Sequence, residues 1–260
     1  MVLPRDSRTY RVFASPVLRE SKVRGVVLLA LDISARYAAE ASRREFTANV
    51  SHELKTPLTS ISGYAEIIES GIAKTEDVPA FAGKIRAEAK RLVALVNDIL
   101  ELSQLDEKQG LGAKEHVALL PMLNGLADSF LPIASEKGVA LSVERCDATV
   151  EGYPVLLREL FHNLIDNAIK YTPTGGSVTV QLSQQEGRIC CRVADTGIGI
   201  PKEHQPHVFE RFYRVDKSHS RQTGGTGLGL AIVKHVAEVH QAQVQLESKP
   251  QEGTAVSVIF

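Results

Sequence analysis

The chain has 260 residues, of which 43% are apolar and 23% charged, and its formal net charge is −1. That is the profile of a soluble globular protein of about two domains, with no charge excess to argue for bulk nucleic-acid binding. No stretch approaches the ~18 consecutive apolar residues of a membrane span, and no secretory signal is visible. Cys146, Cys190 and Cys191 form no C-x-x-C pair. They read as buried free thiols in a reducing compartment.

Residues 9–15 and 23–31 read as two β-strands, with Pro16 to Lys22 as their hairpin connection. Two strands alone do not make a stable domain, so residues 1–33 look like the end of a larger sheet domain whose beginning lies upstream. Asp32 or Ser34 would cap the helix that follows. That helix is predicted over about 35–69, with Gly71 as its stop. Phe46, Val50, Leu54, Leu58, Ile61, Ala65 and Ile68 recur at steps of three and four, a stripe ~120° wide on the helical wheel. His52 lies ~175° from the centre of that stripe and so faces solvent. Glu53 is its neighbour in sequence, and Thr56 lies one turn on. An exposed imidazole with a carboxylate and a hydroxyl beside it reads as a reagent. Pro57 removes a backbone hydrogen bond and is expected to bend the axis.

A second amphipathic helix is predicted over about 78–105, carrying Phe81, Ile85, Leu92, Val96, Ile99 and Leu102 on one face. The two helices make a hairpin over residues 34–106, and each leaves an apolar stripe that a second copy would bury as a four-helix bundle. A homodimer through residues 35–105 is therefore expected. Residues 107–116 read as a polar linker. From 117 to 260, helices are predicted near 119–136, 154–169 and 229–239. Strands are predicted at 139–144, 177–182, 188–193, 243–247 and 254–259, with a hairpin through 184–187. This is a mixed α/β layer rather than a regular βαβ array.

Three clusters in 117–260 carry chemistry. Asn163, Asn167 and Lys170 are spaced i, i+4, i+7 on one helix face, beside Tyr171. Neutral oxygen donors with an ammonium suit a divalent ion bridging phosphates, although the same spacing also describes a plain polar surface. Asp195, Gly197 and Gly199 follow a strand. They offer an acceptor for an exocyclic amine beside a backbone that a flat ligand can approach, or simply a turn. Gly224, Gly225, Thr226, Gly227, Leu228 and Gly229 lead into a helix, an arrangement that can bind anions. No Gly-Lys-Ser/Thr follows, so this is not a P-loop. Between the last two clusters, Phe209 to Asp216 and the polar Lys217 to Thr223 have the character of a lid, with Arg211 and Arg214. The histidines at 204, 207, 219, 235 and 240 match no ligand spacing and read as surface groups. The run from His52 to Thr56 is not a zinc-protease H-E-x-x-H, because Thr56 cannot replace the second imidazole.

Taken in this order, the clusters resemble the bacterial sensor histidine kinases over about residues 35–260. His52-Glu53-Leu54-Lys55-Thr56-Pro57 is similar to their H box, and the later clusters are similar to their N, first glycine, F and second glycine boxes. The resemblance implies a fold of α plus α/β class. A helical hairpin for dimerisation and phosphotransfer is followed by a Bergerat-type α/β sandwich over 117–260, which binds ATP and Mg²⁺. Residues 1–33 resemble the end of a PAS sensor domain. The wording around Arg44 to Ser51 resembles kinases of phosphate-limitation systems.

The resemblance also implies residue roles. His52 would take the phosphoryl group, with Glu53 as its activator. Asn167 would hold Mg²⁺, with Asn163 beside it, and Lys170 and Tyr171 would contact phosphate or nucleotide. Asp195 would read the adenine amine, with Gly197 and Gly199 next to it. Gly225, Thr226, Gly227, Leu228 and Gly229 would wrap the phosphates. Arg214 would stabilise the transferring group, and Thr56 would position water for dephosphorylating the partner. That partner would be a response regulator receiver domain, with no direct nucleic-acid contact. The chain would be cytoplasmic, with membrane attachment of its parent only through upstream segments. An ATPase clamp on the same nucleotide fold and a module acting mainly as a phosphatase are the competing functions.

Overall fold

The computed structural model describes residues 8–107, 112–144, 146–185, 187–215 and 225–260. The chain divides into two compact units, Met1–Thr59 and Ser60–Phe260.

In the first unit, β1 (Tyr10–Arg19) and β2 (Lys22–Asp32) form a two-stranded antiparallel sheet. The connection is tighter than predicted. Pro16 to Arg19 belong to the strand, and only Glu20 and Ser21 turn, with φ of 51° and 60°. Two left-handed residues match the twist of a tight hairpin. Helix α1 (Ser34–Glu69) starts in this unit. The Ser34 N–H donates to Asp32 Oδ1 at 2.9 Å, and Ser34 Oγ accepts from the Thr9 N–H at 2.7 Å. Asp32 thus caps the helix, whereas Ser34 ties the helix start to the residues before the first strand. The helix continues through Pro57, which is buried. Leu58 and Ala65 do not follow their predicted stripe. Both are exposed, Leu58 at 52%, because period alone ranks positions on a face without saying which ones find a neighbour.

The second unit contains the end of α1, helix α2 (Val78–Glu107) and the mixed layer. Tyr64 meets Phe81 across the hairpin with ring centroids 5.7 Å apart. On α2, Leu95 and Leu102 are buried, whereas the predicted core residue Val96 is 40% exposed. Part of the 107–116 linker, residues 108–111, lies outside the described residues. Its last two residues belong to a strand: β3 (Glu115–Ala118) pairs with β5 (Thr149–Gly152) as a short antiparallel ribbon.

The main sheet has the order β4-β6-β7-β9-β8, from β4 (Ala140–Glu144), β6 (Ser177–Gln185), β7 (Arg188–Asp195), β9 (Gly253–Ile259) and β8 (Gln243–Lys249). Only β4 and β6 are parallel. Helices α3 (Leu119–Lys137), α4 (Pro154–Tyr171) and α5 (Gly229–Val239) supply the other layer. Phe161, Leu157, Leu160 and Ile165 of α4 are fully buried with Ile232 and Val233 of α5 and Val178 and Val180 of β6. Each such side chain contributes roughly 1.5–3 kcal/mol. Helix α3 ends at Gly138 in the left-handed conformation, whose N–H reaches back to the last carbonyls. Cys191 is buried and Cys190 half-buried on adjacent, oppositely facing positions of β7, and both are free thiols.

His240 departs from its reading as a surface group. Its Nδ1 lies 2.8 Å from the Val236 carbonyl, and its Nε2 accepts from the Tyr153 N–H at 2.9 Å. That pair of partners fixes a neutral ring, because Nε2 needs its lone pair. The ring also lies where a side chain on Gly152 would have to go. Burial holds the His240 pKa below its ordinary value of 6.5. The folded state therefore resists protonation, and its stability is full above the unfolded value and falls as pH drops through the folded one. In chemical denaturation between pH 8 and pH 5.5, His240→Ala is expected to flatten this decline. At pH 8 it should cost about 1–3 kcal/mol, because the Tyr153 N–H is left unmade. A decline equal to that of wild type would show that His240 does not carry it.

Candidate functional site

His52 is exposed on α1, and Glu53 and Thr56 are half-buried. Thr56 Oγ1 donates to the His52 carbonyl at 3.2 Å. Pro57 has no N–H to offer the Glu53 carbonyl four residues back. This part of the site lies in the first unit.

The other predicted residues lie in the second unit, around a cavity of about 880 Å³, large enough for a nucleotide. At one end, Asp195 closes β7. Its Oδ1 accepts from the Gly197 N–H at 2.8 Å and the Thr254 N–H at 3.2 Å, which leaves the second oxygen for another donor. Burial raises the Asp195 pKa, and the two amides oppose the rise. Gly197 is buried against the Tyr171 carbonyl, where no side chain fits. Gly199 has φ +67° and is packed on the Lys249 carbonyl. Asp195→Ala is expected to weaken nucleotide binding by about 10- to 100-fold, as loss of a half-buried, partnered acceptor does. Titration with a fluorescent ATP analogue measures it, and unchanged affinity would remove Asp195 from the site.

At the other end, α4 presents Asn163, Asn167 and Lys170 to the cavity. Asn163 Nδ2 donates to the Glu159 carbonyl at 3.0 Å and to Glu159 Oε1 at 2.8 Å. Lys170 Nζ is paired with Asp166 Oδ2 at 2.6 Å, a partner the sequence reading did not give it. Gly229 opens α5 so close to α4 that an added Cβ would sit 2.7 Å from Asn163 Oδ1. Gly225, Thr226 and Gly227 line the cavity beside it, whereas Leu228 is fully buried beneath. Leu228, which precedes α5, makes no side-chain cap hydrogen bond to its first turn. Arg214 also lines the cavity, and its Nη2 donates to the Thr226 carbonyl at 2.7 Å. The Phe212 N–H donates to the Gly227 carbonyl at 2.8 Å, so the Phe-Tyr-Arg segment is stitched to the glycine loop. Gly224, Asp216 and Lys217 to Thr223 lie outside the described residues.

Several neighbours escaped the sequence reading. Asp98 and Glu101 of α2 line the same cavity. Burial raises both carboxyl pKa values, Glu101 to about 7. Glu159, four residues before Asn163, was legible only as spacing. Lys137 of α3 donates to the Ile169 and Lys170 carbonyls at 2.7 and 2.6 Å, which ties down the end of α4. Among the described residues, no group of three or more His, Cys, Asp or Glu could hold a metal, and no helix is long and apolar enough to cross a membrane.

Residues 42–108 match the His Kinase A (phospho-acceptor) domain family. Residues 152–260 match the histidine kinase-, DNA gyrase B-, and HSP90-like ATPase family. Sensor histidine kinase WalK of Bacillus subtilis (strain 168) is 36% identical over 253 residues, 95% of this chain and 41% of that protein. The chain thus spans less than half the length of that relative. This kinship does not support the finer expectation of a phosphate-limitation kinase. The structure of full-length ShkA in complex with AMPPNP is 28% identical with a TM-score of 0.58, over 83% of this chain and 45% of that one. Histidine kinase ThkA, solved in complex with response regulator protein TrrA, shares the fold with a TM-score of 0.66 at 20% identity, over 96% of this chain and 74% of that one. In one chain, residues 42–108 thus belong to the phospho-acceptor domain family and residues 152–260 to the histidine kinase-, DNA gyrase B-, and HSP90-like ATPase family.

Proposed function

We propose that the chain uses ATP to phosphorylate itself on His52 and passes the phosphoryl group to an aspartate of a separate receiver domain. The observation that carries this is an exposed histidine within a phospho-acceptor domain, in one chain with a nucleotide-sized cavity that has an amine acceptor at one end and polar α4 groups at the other. The His52 Nε2 lone pair would form the N–P bond as the bond from the γ-phosphorus to its bridging oxygen breaks and ADP leaves. Glu53 would take or share the proton on Nδ1, which keeps the attacking nitrogen electron-rich. Asp195 would accept the adenine amine. The loop from Gly225 to Gly229 and the first turn of α5 would receive phosphate oxygens.

Two carboxamides facing one cavity suit a hard cation shared with phosphates. Asn167 would hold Mg²⁺, with Asn163 beside it, and the ion would supply neutralisation of the phosphate charge. Lys170, Tyr171 and Arg214 would complete the contacts, Arg214 stabilising the transferring group. Thr56 would orient the water that reverses the signal on the regulator.

The domain reading is 1–33 as a sheet remnant, 34–106 as the hairpin, 107–116 as a link and 117–260 as the ATP-binding domain. Val93, Val96 and Leu100 of α2 are exposed at i, i+3, i+7, a row that a second copy would bury in a homodimer. A receiver-domain partner fits the complex in which ThkA was solved. A cytoplasmic location, with a parent protein anchored in the membrane by other segments, fits the same reading.

Incubation with γ-labelled ATP and Mg²⁺ tests it. Acid-labile, base-stable label on the chain is the expected result, and a receiver domain should then remove it. ATP hydrolysis without label would favour the clamp reading. Regulator dephosphorylation without label would favour the phosphatase module.

A further inference from the structure

The Asn163 carboxamide can point only one way. Its Nδ2 side meets two acceptors on Glu159, the backbone carbonyl at 3.0 Å and Oε1 at 2.8 Å. An oxygen placed there would face lone pairs from both, so the amine must occupy that side. Asn163 Oδ1 is therefore turned toward Gly229, against which it is closely packed, and both residues line the cavity. Without the Glu159 carboxylate, one of the two acceptors that fix this orientation is gone.

Glu159 lines the cavity beside Asn163, and Asp98 and Glu101 of α2 line the same cavity.

We propose that Glu159 is the positioning residue of this site, orienting the Asn163 carboxamide toward bound metal. The inference rests on the reading of Asn163 and Asn167 as the metal-binding face. The other charged or titratable groups lining this cavity are Arg158, His162, Asp166 and Lys170 on α4, and Arg214 across from them, with Tyr171, Asp195 and Tyr213 further round its wall.

The test is a Mg²⁺ titration of the full chain with a fluorescent ATP analogue, alongside the analogue's affinity in EDTA. Glu159→Ala is expected to raise the half-saturating Mg²⁺ concentration about 10-fold, the usual size of a lost outer-sphere contact, while affinity in EDTA stays unchanged. Glu159→Gln keeps an acceptor oxygen and should restore Mg²⁺ dependence to within about 3-fold of wild type. An unchanged Mg²⁺ requirement in Glu159→Ala, with Asn167→Ala raising it, overturns the positioning role and leaves the site reading intact. No Mg²⁺ dependence in wild type overturns the site reading, and this inference with it.

Discussion

His52→Ala takes up no acid-labile phosphoryl label from γ-labelled ATP, while it binds the ATP analogue as wild type does. The expected loss is complete because no other side chain substitutes for the nucleophile. His52 is exposed on α1, and its ring fills no core position, so its removal leaves the packing of the second unit untouched. Surface substitutions of that kind usually shift stability by less than ~0.5 kcal/mol. The two measurements thus separate: label reports the acceptor, and nucleotide affinity reports the site around Asp195. Label persisting at the wild-type level would mean that another residue carries the phosphoryl group.

Asn167→Ala is the second large effect, with labelling expected to fall by at least about 100-fold. A carboxamide oxygen bound to a divalent ion stabilises charge that develops on the phosphates, which is worth several kcal/mol in phosphoryl transfer. Asn167 is only half-buried, and it packs beside Gly229 without filling a core position. The fold and the self-association attributed to α2 should therefore survive, which light scattering would verify. Labelling at an unchanged rate, across Mg²⁺ concentrations, would remove Asn167 from the metal assignment.

The helices were legible because their period is long enough to exceed chance. Gly229–Val239 was placed at both ends, since glycines stop before it and apolar residues recur through it. The strands of the main sheet were legible from alternation, as in β8, where every second residue is half-buried. The ribbon of β3 and β5 was not. Four residues such as Glu115-His116-Val117-Ala118 carry too little pattern, and their partner lies more than thirty positions away. The same limit applies to the site. Asn163 and Asn167 could be placed on one face from spacing within a single helix. That Glu101 lines the same cavity as Glu159 could not, because it depends on how α2 packs against α4. Leu58 and Ala65 show the converse error, a correct period assigned to neighbours that do not cover those positions.

The Lys137 contact has an electrostatic consequence. The carbonyl end of a helix carries a partial negative charge, about half an electron. In α4 that end lies at Lys170 and Tyr171, next to the cavity assigned to a polyanion. Left bare, it would repel the tail of a nucleotide. The Lys137 ammonium sits directly on the terminal carbonyls, and its partial burial lowers its pKa by disfavouring the charged form. A full positive charge against the half charge of the helix end offsets it, so the negative pole of α4 no longer opposes an incoming triphosphate.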